Sequence, residues 1–359
     1  MQTQSNKIDF NGQNIYVGFD VHLKSWTVTI MTEKLTHRTF TQPPKPEALY
    51  QYLRKTFPGG AYHSAYEAGF CGYWIHNKLV KFGVNSIVVN PADIPTTGKE
   101  KVMKTDLRDS VKIARSLRNG DLKPIHVPSL TTLEDRGLVR TRATLVKDLS
   151  RYKHRIKSFL HFRGIELPEA FSQSKTYWSN RFTKWLEDLE ITEPSGKASL
   201  NALLEQSKHL RAAVLLVTRQ IRDLSKTDRY KMQQVLLCSI PGIGILTAMT
   251  ILTEIETINR FANLDQLCGF IGLVPSTNST GDHEIVGEIT PRGHSILRTA
   301  IIESAWMAAR LDPALNKCYH DYCRRMEPNK AIIRIARKLT SRIMFVLKNN
   351  QPYVCSVIK

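Results

Sequence analysis

Three β-rich runs stand close together near the start of the chain: Asn14–Asp20 (NIYVGFD), Trp26–Thr32 (WTVTIMT) and Thr36–Thr41. Only His22–Ser25 separates the first two, a connection short enough to predict an antiparallel hairpin. Behind them the pattern changes. Helical spacing over Pro46–Thr56 and Tyr73–Phe82 alternates with strand-like runs at Tyr62–Ala68 and Ser86–Asn90. Periodicity alone therefore predicts a mixed α/β domain, with a sheet that combines a hairpin and β-α-β units.

Past Pro128 the strand formers thin out. Leu130–Arg163 and Ala198–Met232 carry helical spacing and many charges, with Pro168 and Pro194 as breakers between them. Long polar-faced helices of this kind pack as an antiparallel, coiled-coil-like hairpin or against a partner. From Gln233 onward the chain again reads as mainly helical. Three regions are expected: α/β over 12–128, helical over 129–232, and a C-terminal α domain over 233–359. No internal repeat or low-complexity tract interrupts them.

Charge narrows the partners. Lys and Arg number 51 against 32 Asp and Glu, a net +19 over 359 residues. So large a surplus repels itself unless a polyanion is the usual partner, which points to nucleic acid. No apolar run approaches the roughly 20 residues that span a bilayer. Met1–Asn11 lacks the basic-then-apolar order of a signal peptide. The six cysteines form no C-x-x-C pair and are expected to be reduced thiols in a cytoplasmic protein.

Four acids stand out in the first region. Asp20 ends an apolar strand in VGFDVH, and Glu67 closes another in SAYEAG. Asp106 and Asp109 lie three residues apart at a helix start in KTDLRDSVKIARSL, where that spacing points both to about the same face. Each has an ordinary reading, as a turn or cap residue or as negative charge on a helix dipole. As an ordered set in a very basic protein they also suit a metal cage. Phosphodiester transfer needs charge neutralised on attacking and leaving oxygens, and two magnesium ions roughly 3.5–4 Å apart supply this when carboxylates hold them.

The last region holds the IPGIG turn, Ile240–Gly244, between two helical segments. Pro241 stops the first helix, and Gly242 and Gly244 permit a tight turn with amides exposed at the next helix start. That is either a phosphate cradle like the helix-hairpin-helix of DNA-binding proteins or a plain glycine-rich connection. Ser276, Thr277, Ser279 and Thr280 then form a hydroxyl cluster between Pro275 and Gly281, read as a loop. A hydroxyl that attacks DNA needs nearby positive charge, which Arg292, His294 and Arg298 are placed to supply. On the final helix Lys330, Arg334, Arg337, Lys338 and Arg342 make a basic stripe opposite Ile332, Ile333, Ile335, Ala336 and Leu339, suited to a phosphate backbone.

In this order VGFDVH, AYEAG, VVNP at Val88–Pro91, KTDLRD, SIPGIG, FIGLVPS-x-x-S, GEITPRGH-x-x-LR and AIIRIARKL resemble the insertion-sequence-110 transposases, relatives of the Piv invertase also called bridge recombinases. The resemblance covers nearly the whole chain. It implies a RuvC-like, ribonuclease-H-type DEDD domain joined through a coiled-coil insertion to a distinct transposase domain. Asp20, Glu67, Asp106 and Asp109 become the acids holding Mg2+ or Mn2+. It also implies a serine that attacks DNA to form a phosphoserine intermediate, a composite site between subunits of a homodimer or homotetramer, and a noncoding bridge RNA that pairs with donor and target DNA. The family serine stands just before the glycine, a position that Thr280 holds here, with Ser279 one residue earlier. Both remain candidates. Two other readings stay open: a RuvC-like Holliday-junction resolvase or nuclease using metal-activated water, and a nucleic-acid-binding protein without catalysis.

Overall fold

The computed structural model describes residues 9–96, 105–171, 177–280, 283–290 and 292–355, with the side chains of 277–286 outside that description. The chain divides into two compact units, 1–127 and 128–359, and is mostly helical. No helix among the described residues is long and apolar enough to cross a membrane.

The first unit is built on a five-stranded mixed sheet: β1 (Asn14–Val21), β2 (Trp26–Met31), β3 (Thr36–Gln42), β4 (Ala61–Glu67) and β5 (Asn85–Val89), in the order β3-β2-β1-β4-β5. β1, β2 and β3 pair antiparallel, whereas β1–β4 and β4–β5 are parallel, as the hairpin followed by β-α-β units required. Ile15, Val17 and Phe19 of β1 and Trp26, Val28 and Ile30 of β2 turn to one face. There they pack on Leu49 and Leu53 of α1 (Pro46–Thr56) and on Ile75 and Leu79 of α2 (Trp74–Lys81).

Helix α3 (Asp106–Asn119) lies on the other face. A Cβ on Gly18 would stand 2.1 Å from the Ala114 amide nitrogen and 2.6 Å from the Ser110 carbonyl. Only glycine at this strand position lets the helix backbone approach so closely. Thr29, paired with Gly18 on the neighbouring strand, shares a 2.9 Å hydroxyl contact with Ser110. The start of α3 is thereby fixed over the end of β1.

In the second unit α4 (Leu130–Phe162) and α6 (Pro194–Ser225) run antiparallel: Val139 shares a core with Ile221, and Ile156 and Leu160 share another with Leu200 and Leu204. At 33 and 32 residues each is about 50 Å long. One end carries an aromatic cluster in which Phe171 and Phe182 pack on Trp185, the latter two from α5 (Asn180–Asp188). Two sequence expectations change here. Pro194 starts a helix, since its missing N–H costs nothing at the first position. The segment 198–232 is broken after Ser225, where Arg229 and Tyr230 both bind the Asp135 carboxylate before α7 (Lys231–Cys238) begins.

The opposite end of the pair joins the main core, made by α7, α8 (Ile245–Ile255), α9 (Leu264–Ile271), α10 (Ser295–Leu311), α11 (Pro313–Cys323) and α12 (Pro328–Asn349). Between α9 and α10 stands a two-stranded ribbon, β6 (Pro275–Thr280) and β7 (His283–Ile289), where the sequence suggested a hydroxyl loop. A polar run such as Ser276–Thr280 has no apolar alternation to announce a strand. All six cysteines are free thiols.

Candidate active site

The register of the first sheet decides where its acids go. Asp20 follows Gly18 by two residues and so lies on the α3 face of β1. Phe19 pairs with Tyr66, so Glu67 is the next residue of β4 beside Asp20, at the carboxyl ends of two adjacent parallel strands. Asp106 opens α3, whose N-cap is Thr105 with its hydroxyl 3.4 Å from the Arg108 amide. Strand ends and helix start meet because Gly18 admits the helix.

Three ligand-type side chains converge there. The His22 Nε2 lies 2.9 Å from Asp20 Oδ2 and 3.4 Å from Asp106 Oδ2. The negative charge of Asp20 outweighs a slight desolvation and raises the His22 pKa above its ordinary value, with Asp106 adding to the effect. Each of the three offers a ligand atom within 4.8 Å of the others, and Asp106 opens to solvent. Two carboxylates and an imidazole at a solvent-facing rim fit a divalent cation.

Glu67 and Asp109 stand outside this group among the described residues. Asp109 points inward, nearly buried, and its carboxylate lies 3.2 Å from the equally buried Lys112 ammonium. Asp106 and Asp109 thus share a helical face but have different partners. Sequence reading passed over His22 and Lys112. The first had a visible signal, two residues after Asp20 on one strand edge; the second had none.

In the second unit the ribbon is clamped at its base. Gly272 and Gly293 lie back to back: a Cβ on Gly293 would stand 2.5 Å from the Gly272 Cα. Arg298 donates to the carbonyls of Thr290 (2.7 Å) and Gly272 (3.4 Å), so it serves this clamp. The backbone of Arg292 donates to the Thr290 hydroxyl, and its side chain is exposed. His294 lies 3.0 Å from Glu254, a fully buried carboxylate that also receives two bonds from Arg140, at 2.7 and 2.8 Å. Burial would push the Glu254 carboxyl up, but His294 and Arg140 outweigh it and hold the pKa at about 2. Glu254 was missed by sequence reading, although an acid inside the apolar ILTEI helix is a signal. Ser279 and Thr280 lie on β6 opposite Glu284 and His283; their side chains, with Gly281 and Pro291, fall outside the described residues.

The helix-hairpin turn is packed inward. Ile240 is 1% exposed and its side chain belongs to the main core, so any nucleic-acid contact at this turn falls to the backbone and to its neighbours. Gly242, at φ 88°, sits against α10, where a Cβ would meet the Ser304 carbonyl at 2.5 Å. Gly244 is exposed at the α8 start. The basic stripe splits likewise. Arg337 bonds Asp265 and the Leu273 carbonyl, and Arg342 turns to Tyr353 and the fully buried Asp312. Lys330, Arg334 and Lys338 line an open groove.

Known families match both units. A model described as Transposase, for the DEDD type of IS110, covers residues 17–163, and one described as Transposase IS116/IS110/IS902 family covers 234–320. A putative transposase y4qE of Sinorhizobium fredii is 30% identical over 77% of this chain, a match spanning 66% of that relative's length. The transposase for insertion sequence element IS1533 of Leptospira borgpetersenii is 26% identical over 70% of this chain and 72% of its own. That of IS1111A from Coxiella burnetii is 24% identical, covering 80% and 78%.

Proposed function

The chain belongs to the IS110 family of transposases, with a DEDD domain, and on that premise we propose that it cuts and rejoins DNA strands by phosphoryl transfer. The observation that carries this reading is the convergence of Asp20 and His22 with Asp106, distant from them in sequence, at one sheet end. Asp20 and Asp106 hold a divalent cation, Mg2+ or Mn2+, with Glu67 beside Asp20 and Asp109 one helical turn inward. Such a cation neutralises charge on the scissile phosphate.

Ser279 or Thr280 acts as nucleophile: its oxygen bonds to phosphorus as the bond to the departing strand's oxygen breaks, leaving a protein–phosphate ester. A DNA hydroxyl then reverses the exchange. The clamp at Gly272, Gly293 and Arg298 supports the ribbon that carries both residues, and the exposed Arg292 sits at its base. In this assignment 12–128 is the RuvC-like nuclease domain, 129–232 a coiled-coil insertion, and 233–359 the transposase domain with a helix-hairpin-helix at Gly242 and Gly244. Donor and target DNA are the substrates, a bridge RNA is the guide, and the assembly is a homodimer or homotetramer.

Trapping on a nicked, end-labelled duplex tests the chemistry. A labelled adduct that survives denaturation is expected from the intact protein, and its loss from Asp20→Ala and from the Ser279→Ala/Thr280→Ala double variant. An adduct that persists in the double variant overturns the nucleophile. Free ends without adduct from the intact protein favour metal-activated water. Sequencing RNA that copurifies with the chain tests the guide.

A further inference from the structure

A groove of about 1210 Å³ in the second unit runs between α12 and the base of the β6–β7 ribbon. Its lining is mixed, apolar and basic with one carboxylate, Glu288. Leu264, Val274, Ile289, Ile333 and Met326 make an apolar side, and Tyr322 presents its ring there, with the Arg334 guanidinium 5.5 Å from the ring centre. Lys330, Arg334 and Lys338 border it, and none has a carboxylate partner within ion-pair distance among the described residues.

We propose that this groove receives an unpaired stretch of nucleic acid, with base faces on Tyr322 and the apolar wall and phosphates on Lys330, Arg334 and Lys338. The inference rests on the strand-transfer reading, because the same ribbon that forms one wall carries Ser279 and Thr280. A duplex hides the apolar faces of its bases and offers this wall only charge and sugar edges. A separated strand presents stackable faces and phosphates together, the combination that aromatic surfaces bordered by cations bind. Three cations without a carboxylate partner among the described residues match a polyanion better than a neutral segment. Strand exchange also leaves single-stranded ends that need holding beside the nucleophile.

The full-length chain is tested with a short oligonucleotide carrying 5-iodouracil, as single strand and as duplex. Irradiation is expected to join the single strand, and not the duplex, to Tyr322 or its groove neighbours. Ser341→Trp, which fills the groove from an exposed position, is expected to weaken single-strand affinity about tenfold or more while duplex affinity stays within about twofold. The Lys330→Gln/Lys338→Gln variant is expected to lose single-strand affinity as well.

Unchanged single-strand affinity in both variants, or cross-links only outside the groove, overturns the proposal. So does a sedimentation mass altered by Ser341→Trp, or displacement of the cross-link by an acidic peptide and not by unlabelled strand, since the groove then takes protein. If duplex binds and is cut while the single strand ignores the groove, this inference alone falls. If neither form binds, the strand-transfer reading falls with it.

Discussion

The Lys112 ammonium lies 3.2 Å from the Asp109 carboxylate, and both side chains are almost wholly buried. Asp106, on the same face one turn earlier, instead meets His22 and solvent. An ion pair in that position costs desolvation on both sides, so removing one partner leaves a charge with no compensation, a loss of about 3–5 kcal/mol. A cation bound beside Asp109 would replace the missing ammonium. Lys112→Met is therefore expected to lower the unfolding midpoint in chelator and to recover much of the loss on adding Mn2+. Asp109→Asn is expected to lose similar stability without recovery. Calorimetry with and without metal checks this, and equal metal shifts in both variants would remove Asp109 from the metal site.

Gly18 sets the position of α3, and with it the meeting of Asp20 and Asp106. Gly18→Ala places a methyl group 2.1 Å from a backbone nitrogen, so helix or strand must move. Overpacking of this kind costs about 1–3 kcal/mol. The expected result is a lower unfolding midpoint with a greater proportional loss of strand cleavage, since the acids separate. Full cleavage by a destabilised Gly18→Ala protein would contradict the link between this contact and the site.

The sheet was legible because its signals are local. Short hairpin connections and alternating runs fixed β1–β3, and KTDLRD placed the α3 start at Asp106. Asp20, Glu67 and the Asp106/Asp109 pair could be named for the same reason. Their partners could not: Lys112 and His22 acquire meaning only when Gly18 brings helix and strand together. The break after Ser225 has no proline or glycine to mark it and depends on Asp135, distant in sequence. At Ile240 the motif was legible but not the burial of its side chain, which depends on the rest of the core.

Glu254 gives the second unit a defined acid response. Its carboxyl pKa falls from 4.5 to about 2 in the folded state, so its ionised form favours folding at pH above about 4.5. That contribution is lost as pH falls toward 2 and is worth roughly 3 kcal/mol. Acid titration monitored by circular dichroism should show the second unit unfolding over this window. Glu254→Gln should be less stable at neutral pH, with a flatter acid limb. An unchanged acid limb in that variant would assign the transition to other carboxylates.

The basic stripe of α12 predicts two different phenotypes from residues of the same charge. Lys330 and Lys338 line an open groove, so each contributes to phosphate contact by releasing a counterion. Lys330→Gln/Lys338→Gln is expected to weaken single-stranded DNA binding across sequences and to reduce the slope of log affinity against log salt by about 1.4, with stability unchanged. Arg342 lies 3.6 Å from the fully buried Asp312 and bonds the Tyr353 hydroxyl at 2.9 Å. Arg342→Gln should leave the salt slope alone and cost stability, about 3–5 kcal/mol if Asp312 stays ionised and otherwise less. Tyr353, which already donates to Asp312 at 2.6 Å, then shares that carboxylate with the Leu315 amide at 3.0 Å, with no cation beside it. Salt titrations of affinity paired with thermal unfolding separate the two. A reduced salt slope in Arg342→Gln at unchanged stability would return that residue to the phosphate-binding surface.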